Sequence, residues 1–341
     1  MSRSKKTLVL CLPCFVLALS RESAQAQTSL DDVHISGRQT TAVAASVPYP
    51  AAPADPSLIR TRAELVLVSV AITDEYNRPV VGLDQENFQL FENKRPQAIK
   101  NFSSEDTPVS IGILLDTSGS MSYKLERARE AVLQFCEEAN PQDEFFLITF
   151  ADSPQLTRDF TARADTLAND LLTLRSKGKT SLLDAVSMGL TKMRTARYAR
   201  KALLIISDGG DNHSRFTEKD VKAAARESDV TIYAVGTYDH WISTEEESLG
   251  PELLADLADA TGGQSFSLDR ASEMPDVTRA IGSRLRHEYV LAYQPAQHDG
   301  KWHKITVKLR LPKKFPFLHV NARPGYYAGD ESVPVAVASA E

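Results

Sequence analysis

The central part of the chain alternates short apolar runs with longer segments in which apolar residues recur every three or four positions. Short apolar runs predict strands, and the longer periodic segments predict amphipathic helices. The run at 111–115 alternates too weakly for a strand with one exposed face. It therefore predicts a strand buried on both faces, as in a parallel sheet covered by helices. Further strands are predicted at 144–150, 202–207, 231–235 and 264–267, and helices at 123–139, 163–174, 181–195, 218–227, 251–260 and 273–286.

Strands that alternate with helices favour right-handed crossover connections and a doubly wound, mostly parallel α/β sheet. We expect this α/β domain to span 108–287. Strand-like runs also occur on both sides of it, at 65–72, 88–91, 98–102, 289–294, 304–311 and 317–322. Each flank is small for an independent domain. The economical arrangement is one β-sandwich-like domain built from 58–107 and 288–328, with the α/β domain inserted between them.

The first residues have the pattern of a secretory signal peptide at 1–26. Two lysines and an arginine lie within 3–6, an apolar core follows at 8–19, and small residues at 24–26 supply a cleavage site. The apolar core is shorter than the roughly 20 residues of a membrane span and contains Pro13, so cleavage is favoured over an uncleaved anchor. The mature protein is then expected to be secreted, periplasmic or attached to the cell envelope, and not an integral membrane protein.

The segment 27–57 is rich in Ala, Ser, Thr and Pro and shows little periodicity, which predicts a disordered linker. We expect the same of a tail at 329–341. Two of the three cysteines lie in the predicted signal peptide, so Cys136 alone remains and no internal disulfide can form. The formal net charge of −6 and the pI near 5.7 argue against a nucleic-acid-binding protein.

Polar residues with metal-binding chemistry follow the first buried strand. Asp116, Ser118 and Ser120 come directly after 111–115, at the carboxyl end of the strand, where open α/β sheets place their ligands. One carboxylate and two hydroxyls in a tight loop with a glycine suit a hard divalent cation, Mg²⁺ first and then Mn²⁺ or Ca²⁺. They do not suit Zn²⁺, which prefers His and Cys.

Two further oxygen-bearing residues follow other elements of the predicted sheet. The apolar run 203–206 ends in Ser-Asp-Gly, so Asp208 also lies at the carboxyl end of a strand, and Thr180 lies in a Gly-Lys-Thr loop that leads into a helix. Each residue has an ordinary structural interpretation as well: Asp116 and Ser118 as caps, Thr180 or Ser181 as a helix N-cap, and Asp208 as a turn residue. Their occurrence together, in this order and on these elements, favours metal binding.

These residues resemble those of a known family. Asp-Thr-Ser-Gly-Ser at 116–120, Thr180 before Leu-Leu-Asp-Ala, and Ser-Asp-Gly at 207–209 are similar to a von Willebrand factor type A (VWA) domain with a complete metal-ion-dependent adhesion site. The resemblance covers 108–287 and implies a Rossmann-like fold. The flanks are similar to secreted bacterial proteins in which strand signatures such as Ile-Thr-Asp at 72–74 and Gly-Tyr-Tyr at 325–327 surround such a domain.

The resemblance implies a metal-dependent binding module and no enzyme activity. Ser118, Ser120 and Thr180 would coordinate Mg²⁺ directly, and Asp116 and Asp208 largely through bridging waters. One coordination position would be filled by an Asp or Glu of a protein partner. No nucleic acid or small-molecule substrate is expected.

Two other functions remain open at this stage. The chain could be a structural envelope protein whose metal site is unused and whose β-rich flanks make the contacts. Alternatively, Asp116 could be the nucleophile of a phosphohydrolase. For the residues after Asp208, at 211–213, a polar surface loop is favoured over a role at the rim of the site. The acidic run 245–247 is interpreted as a solvated loop.

Overall fold

The computed structural model of this protein describes residues 65–238, 245–312 and 317–328, with the side chains of 245–247 excluded. The predicted signal peptide at 1–26, the linker at 27–57, the first residues of the N-terminal flank at 58–64 and the tail at 329–341 lie outside the described residues. Within the described ranges, no helix has the length and apolar character needed to cross a membrane.

These ranges form fourteen strands and six α-helices. The strands are β1 Val66–Thr73, β2 Phe88–Glu92, β3 Arg95–Gln97, β4 Asn101–Ser103, β5 Val109–Asp116, β6 Glu144–Phe150, β7 Pro154–Thr161, β8 Arg200–Ser207, β9 Val230–Thr237, β10 Gln264–Leu268, β11 Tyr289–Tyr293, β12 Trp302–Leu309, β13 His319–Ala322 and β14 Gly325–Tyr327. The helices are α1 Leu125–Glu137, α2 Ala164–Thr173, α3 Leu182–Met193, α4 Glu218–Glu227, α5 Glu245–Asp259 and α6 Met274–Arg286.

Six strands form the central sheet in the order β10-β9-β8-β5-β6-β7. The strands β10, β9, β8, β5 and β6 are parallel to one another. The edge strand β7 pairs antiparallel with β6. All eight residues of β5 are buried, as expected for a strand covered on both faces. The predicted Rossmann-like, doubly wound and mostly parallel α/β fold is confirmed.

Helices cover both faces of this sheet and produce two cores. On one face, β5 and its neighbours pack against α1, α2 and α6 through side chains such as Phe135 and Ile281. On the other face, the same strands pack against α3, α4 and α5 through side chains such as Val186 and Leu254. Because both faces are covered, only the two ends of the strands remain for a ligand site.

Two predictions about the central domain are wrong. Strand β7 was not predicted, because most of its residues are only half-buried and it begins with Pro154, so its apolar pattern is weak, as is common for edge strands. Helix α5 begins at Glu245 and not at Pro251, and the acidic run 245–247 lies in its first turn and not in a loop. Acidic residues are favoured in a first helical turn, because they interact with the positive end of the helix dipole.

The flanks form two antiparallel four-stranded sheets that share one core, in the orders β13-β1-β11-β4 and β14-β12-β2-β3. The prediction of one continuous strand at 98–102 is wrong, because the structure has β3 at 95–97 and β4 at 101–103. Asn93 and Lys94, both with positive φ, form a tight turn between β2 and β3, so these two strands pair as a hairpin. The chain then crosses to the other sheet, where β4 pairs with β11.

A charged cluster lies within the flanking sheets. The His303 ring lies 2.7 Å through Nδ1 from Glu92 Oε1 and 2.9 Å through Nε2 from Asp299 Oδ1. Tyr326 also donates a hydrogen bond of 2.7 Å to Glu92 Oε1. Burial alone would lower the pKa of His303, but the hydrogen bonds and charges of Glu92 and Asp299 raise it. Two carboxylate neighbours favour an imidazolium that donates from both nitrogens.

This cluster predicts a loss of stability as the pH rises. The pKa of His303 is higher in the folded protein than its unfolded value of about 6.5, so its contribution is fully present below that pH. The contribution is lost as the pH rises through the raised folded pKa. We expect the free energy of unfolding of the wild type, relative to His303→Gln, to fall between pH 6 and alkaline pH, as measured by urea denaturation.

The matched control is His319→Gln, because His319 is exposed on β13 of the same pair of sheets. This variant should follow the wild type at every pH. If His303→Gln shows the same pH dependence as the wild type, then His303 does not bind an additional proton on folding.

Candidate metal centre

The carboxyl ends of β5 and β8 lie side by side. In their parallel pairing Leu115 is opposite Ile206, so the next residues, Asp116 and Ser207, are neighbours. The Ser207 hydroxyl donates a hydrogen bond of 2.6 Å to Asp116 Oδ2, and the amide of Ser118 donates one of 2.8 Å to Asp116 Oδ1. Asp116 is completely buried. One oxygen is therefore held by the last residue of β8 and the other by the loop that follows β5.

The two serines of the first loop present their hydroxyls to each other. Ser118 Oγ lies 3.0 Å from Ser120 Oγ. Ser118 occupies the N-cap position of the 3-10 helix Gly119–Tyr123, yet its hydroxyl makes no capping hydrogen bond. Capping therefore does not explain Ser118. Asp116 does accept a hydrogen bond from the nearby Ser118 amide, as its interpretation as a cap expected.

The second loop carries Thr180 and is joined to the first by its backbone. The amide of Gly119 donates to the carbonyl of Gly178 at 3.0 Å, and the amide of Lys177 donates to the carbonyl of Thr117 at 2.9 Å. Gly178 has a φ of +86°, and a Cβ on it would lie 2.7 Å from the Asp152 carboxylate, so this position requires glycine. Thr180 is thereby held buried beside the first loop.

Helix capping does not account for the end of the second loop either. Ser181 is the N-cap residue of α3, but it makes no side-chain capping hydrogen bond. Its buried Oγ has no hydrogen-bond partner among the described residues.

The third loop, which follows β8, is joined to the second. Asn212 Oδ1 accepts a hydrogen bond of 3.0 Å from the amide of Thr180, and the amides of Asn212 and His213 donate to the Thr180 carbonyl at 3.1 and 3.0 Å. Asp211 Oδ2 accepts a hydrogen bond from the amide of Leu183 at 3.1 Å. The segment after Asp208 is therefore part of the construction of the site. Asn212 and His213 are exposed, as the prediction of a polar surface loop expected, but the loop also contacts Thr180 and the first turn of α3, which are distant in sequence.

Asp208 is the least compensated residue of the cluster. It is 1% exposed, and neither carboxylate oxygen has a hydrogen-bond partner among the described residues. The ammonium of Lys124 lies 3.7 Å from Asp208 Oδ2 and donates a hydrogen bond of 3.2 Å to the carbonyl of Thr237. Lys124 precedes α1 and its side chain is only 7% exposed. Nothing local in the sequence indicated this contact, because a lysine at a helix start is usually solvated.

The two carboxylates affect each other electrostatically. Burial first, and then the negative charge of Asp208, raise the pKa of Asp116, while hydrogen bonds from Ser118 and Ser207 act in the opposite direction. Burial and the charge of Asp208 also raise the pKa of Tyr238. The neighbourhood of Asp208 therefore has a surplus of negative charge in a region from which water is excluded.

The structure thus places all five predicted residues at the carboxyl end of the central sheet's parallel strands, on three loops joined by hydrogen bonds. They are Asp116, Ser118, Ser120, Thr180 and Asp208. Carboxylate and hydroxyl oxygens fit a hard divalent cation such as Mg²⁺. Apart from the Lys124 ammonium at 3.7 Å, the described residues offer the oxygens of Asp208 no hydrogen-bond partner, so a cation could bind them. Within the described ranges, no group of three or more His, Cys, Asp or Glu side chains could hold a metal ion, so this site would depend on its hydroxyls.

Comparison with known proteins agrees with this description of the fold. Residues 111–210, which contain all five of these side chains, match the family model of the von Willebrand factor type A domain. The structure is also similar to a von Willebrand factor type A protein from Catenulispora acidiphila, with 15% sequence identity and a TM-score of 0.47, over 79% of this chain and 64% of that chain.

Two other solved structures are similar to about half of this chain. The conserved hypothetical protein BatB from Bacteroides thetaiotaomicron is 18% identical with a TM-score of 0.42, over 52% of this chain and 98% of that chain. The vWF domain of the type V pili tip protein Mfa5 from Porphyromonas gingivalis is 14% identical with a TM-score of 0.42, over 52% of this chain and 95% of that chain.

The position of Lys124 predicts that its charge stabilises the central α/β domain when no divalent cation is present. Replacing it by methionine keeps the length of the side chain but removes the ammonium beside the buried Asp208. We expect Lys124→Met to lower the free energy of unfolding in chelator by about 3 kcal/mol, because loss of one partner leaves a buried charge uncompensated. Urea denaturation in the presence of a chelator measures this change.

Arg127→Met is the matched control, because Arg127 forms an exposed pair with Glu130 within α1. It should change the free energy of unfolding by less than about 0.5 kcal/mol. An effect of Lys124→Met no larger than that of the control would contradict a stabilising role for the buried ammonium.

Proposed function

We propose that this protein is a secreted or envelope-associated binding module whose VWA domain captures an Asp or Glu side chain of a protein partner through a divalent cation. The observation that carries the proposal is the buried carboxylate of Asp208. It has no hydrogen-bond partner among the described residues, and it lies at the same end of the strands as Asp116 and the Ser118–Ser120 hydroxyl pair. A buried carboxylate is stable only when it is paired, hydrogen-bonded or bound to a metal.

Each residue has a distinct part in this proposal. Ser118, Ser120 and Thr180 would supply neutral oxygens to Mg²⁺, and Asp116 and Asp208 would supply the charge that holds it. Mn²⁺ or Ca²⁺ could replace Mg²⁺ with the same kind of ligands. When bound, the cation supplies a Lewis-acidic position that a carboxylate oxygen from outside can occupy.

The chain's own residues favour binding over catalysis. The Ser118 hydroxyl pairs with that of Ser120, and Ser207 donates to Asp116. None of these three serines is hydrogen-bonded to a histidine within the described ranges, so a histidine base that would activate a serine nucleophile is not in place there. Export rests on the sequence pattern at 1–26.

The first test is cation binding. Isothermal titration calorimetry should show binding of Mg²⁺ or Mn²⁺ to the wild type, and saturating cation should stabilise the folded protein. At a free cation concentration 100 times the dissociation constant, the free energy of unfolding should rise by about 2.7 kcal/mol. Asp208→Asn should abolish both effects, because it removes the buried negative charge whose oxygens have no hydrogen-bond partner among the described residues.

Asp259→Asn is the control for this experiment, since Asp259 is an exposed acid at the end of α5. It should bind the cation as the wild type does. Cation binding that survives in Asp208→Asn would contradict the proposed site.

The second test is capture of an acidic residue. The full chain is applied to immobilised peptides, in which each sequence with Asp or Glu is paired with its Asn or Gln counterpart. In Mg²⁺ we expect retention on the acidic member of a pair only, and loss of retention in chelator. Retention that is equal on both members, or that persists in chelator, would show that binding does not pass through the cation and would favour the β-rich flanks as the contact surface.

A further inference from the structure

A groove opens beside the candidate metal centre, between the segment that follows β8 and helix α5. It begins at Gly209, the residue after Asp208, and has a volume of about 490 Å³. Gly209 packs directly on α5, because a Cβ at this position would lie 2.7 Å from the Cα of Gly250. A ligand that reaches the loop of Asp208 therefore has this groove immediately next to it.

The groove contains apolar side chains that the domain leaves uncovered. Phe216 is 47% exposed and Leu249 is 59% exposed, and Leu253 lines the groove between them and the sheet. Large apolar side chains that are grouped in a concave surface are typical of binding sites, because covering them removes apolar area from water.

The charged side chains of the groove are acidic. Four carboxylates line it, and no Lys or Arg is among the described residues that do so. Lys222, outside the lining, pairs with Glu218 at 3.2 Å and also with Asp256. Glu252 makes no ion pair within the described ranges. One ammonium does not balance four carboxylates, so the groove presents a negative field to a ligand.

We propose that this groove binds a segment of the partner protein in which a large apolar residue and a Lys or Arg lie close in sequence to the acidic residue captured at the metal centre. This inference rests on the proposed function. The apolar residue covers Phe216 and Leu249, and the basic residue pairs with Glu252. The protein thus recognises two opposite charges of the partner at adjacent places: an acidic side chain binds the cation, and a basic side chain binds in the groove.

The same arrangement acts against other acidic ligands. A polymer that carries only carboxylates, such as an acidic polysaccharide or a polyglutamate chain, would bring like charges against Glu252 and its neighbours. Repulsion of a wrong partner contributes to specificity as much as attraction of the right one. The acidic groove therefore favours, as the ligand of the metal centre, a protein segment that carries both acidic and basic residues.

The experiment uses a soluble peptide library with a fixed central Asp and randomised flanking positions. The immobilised full chain captures peptides in Mg²⁺, chelator releases them, and the released pool is sequenced. We expect enrichment of Lys or Arg and of Leu, Ile or Phe near the Asp. In Glu252→Lys the enrichment of basic residues should fall about fivefold, because charge reversal replaces an attraction by a repulsion. Phe216→Ser should reduce the apolar enrichment.

Asp259→Lys is the matched control, because Asp259 lies on the same helix but outside the groove. It should leave both enrichments within twofold of the wild type, and thermal denaturation verifies that each variant is folded. Chelator-sensitive capture with no basic preference, or with the same preference in Glu252→Lys, would overturn the groove and leave the proposed function intact. An absence of any chelator-sensitive capture would refute the proposed function, and the groove proposal with it.

Discussion

The carboxylates of Asp116 and Asp208 are both buried and repel each other, and the polar groups around them offset this repulsion. Asp116 is held by the Ser207 hydroxyl and the Ser118 amide, and the ammonium of Lys124 lies beside Asp208. These contacts leave both oxygens of Asp208 without a hydrogen-bond partner among the described residues. A buried carboxylate in that condition costs at least 1–3 kcal/mol. A divalent cation, as proposed above, would offset this cost.

The backbone, more than side-chain packing, fixes the three loops relative to one another. Amide-to-carbonyl bonds join Gly119 to Gly178, and Asn212 to Thr180. These bonds do not use the side-chain hydroxyls of Ser118, Ser120 or Thr180. The requirement for close backbone approach explains two glycines: Gly178 packs against the Asp152 carboxylate, and Gly209 packs against α5. A site built in this way is organised before any ligand arrives.

The amino ends of the central sheet's parallel strands lie next to the flanking sheets. Arg200, at the start of β8, donates to the carbonyl of Thr107 at 2.7 Å and pairs with Glu288 at 3.0 Å, just before β11. Tyr233 donates to the same Glu288 carboxylate at 3.0 Å. The covalent and polar connections to the flanking sheets therefore lie at one end of the strands, and the candidate metal centre and its groove lie at the other. A partner can approach the metal edge without displacing the flanks.

The sequence by itself determined the α/β class, the buried strands β5 and β8, and the placement of Asp116, Ser118, Ser120 and Asp208 at strand ends, because each depends on a pattern within a few contiguous residues. Thr180 followed from its loop only in combination with the other four. The tertiary structure alone decided that 95–103 divides between two sheets and that β7 forms the edge of the central sheet. It also decided that Lys124, Ser207 and Asn212 support the site, and that a groove opens beside it. These features are contacts between segments far apart in the chain. A lysine before a helix or an asparagine in a loop looks the same in sequence whether it faces water or a buried carboxylate, and only packing distinguishes the two.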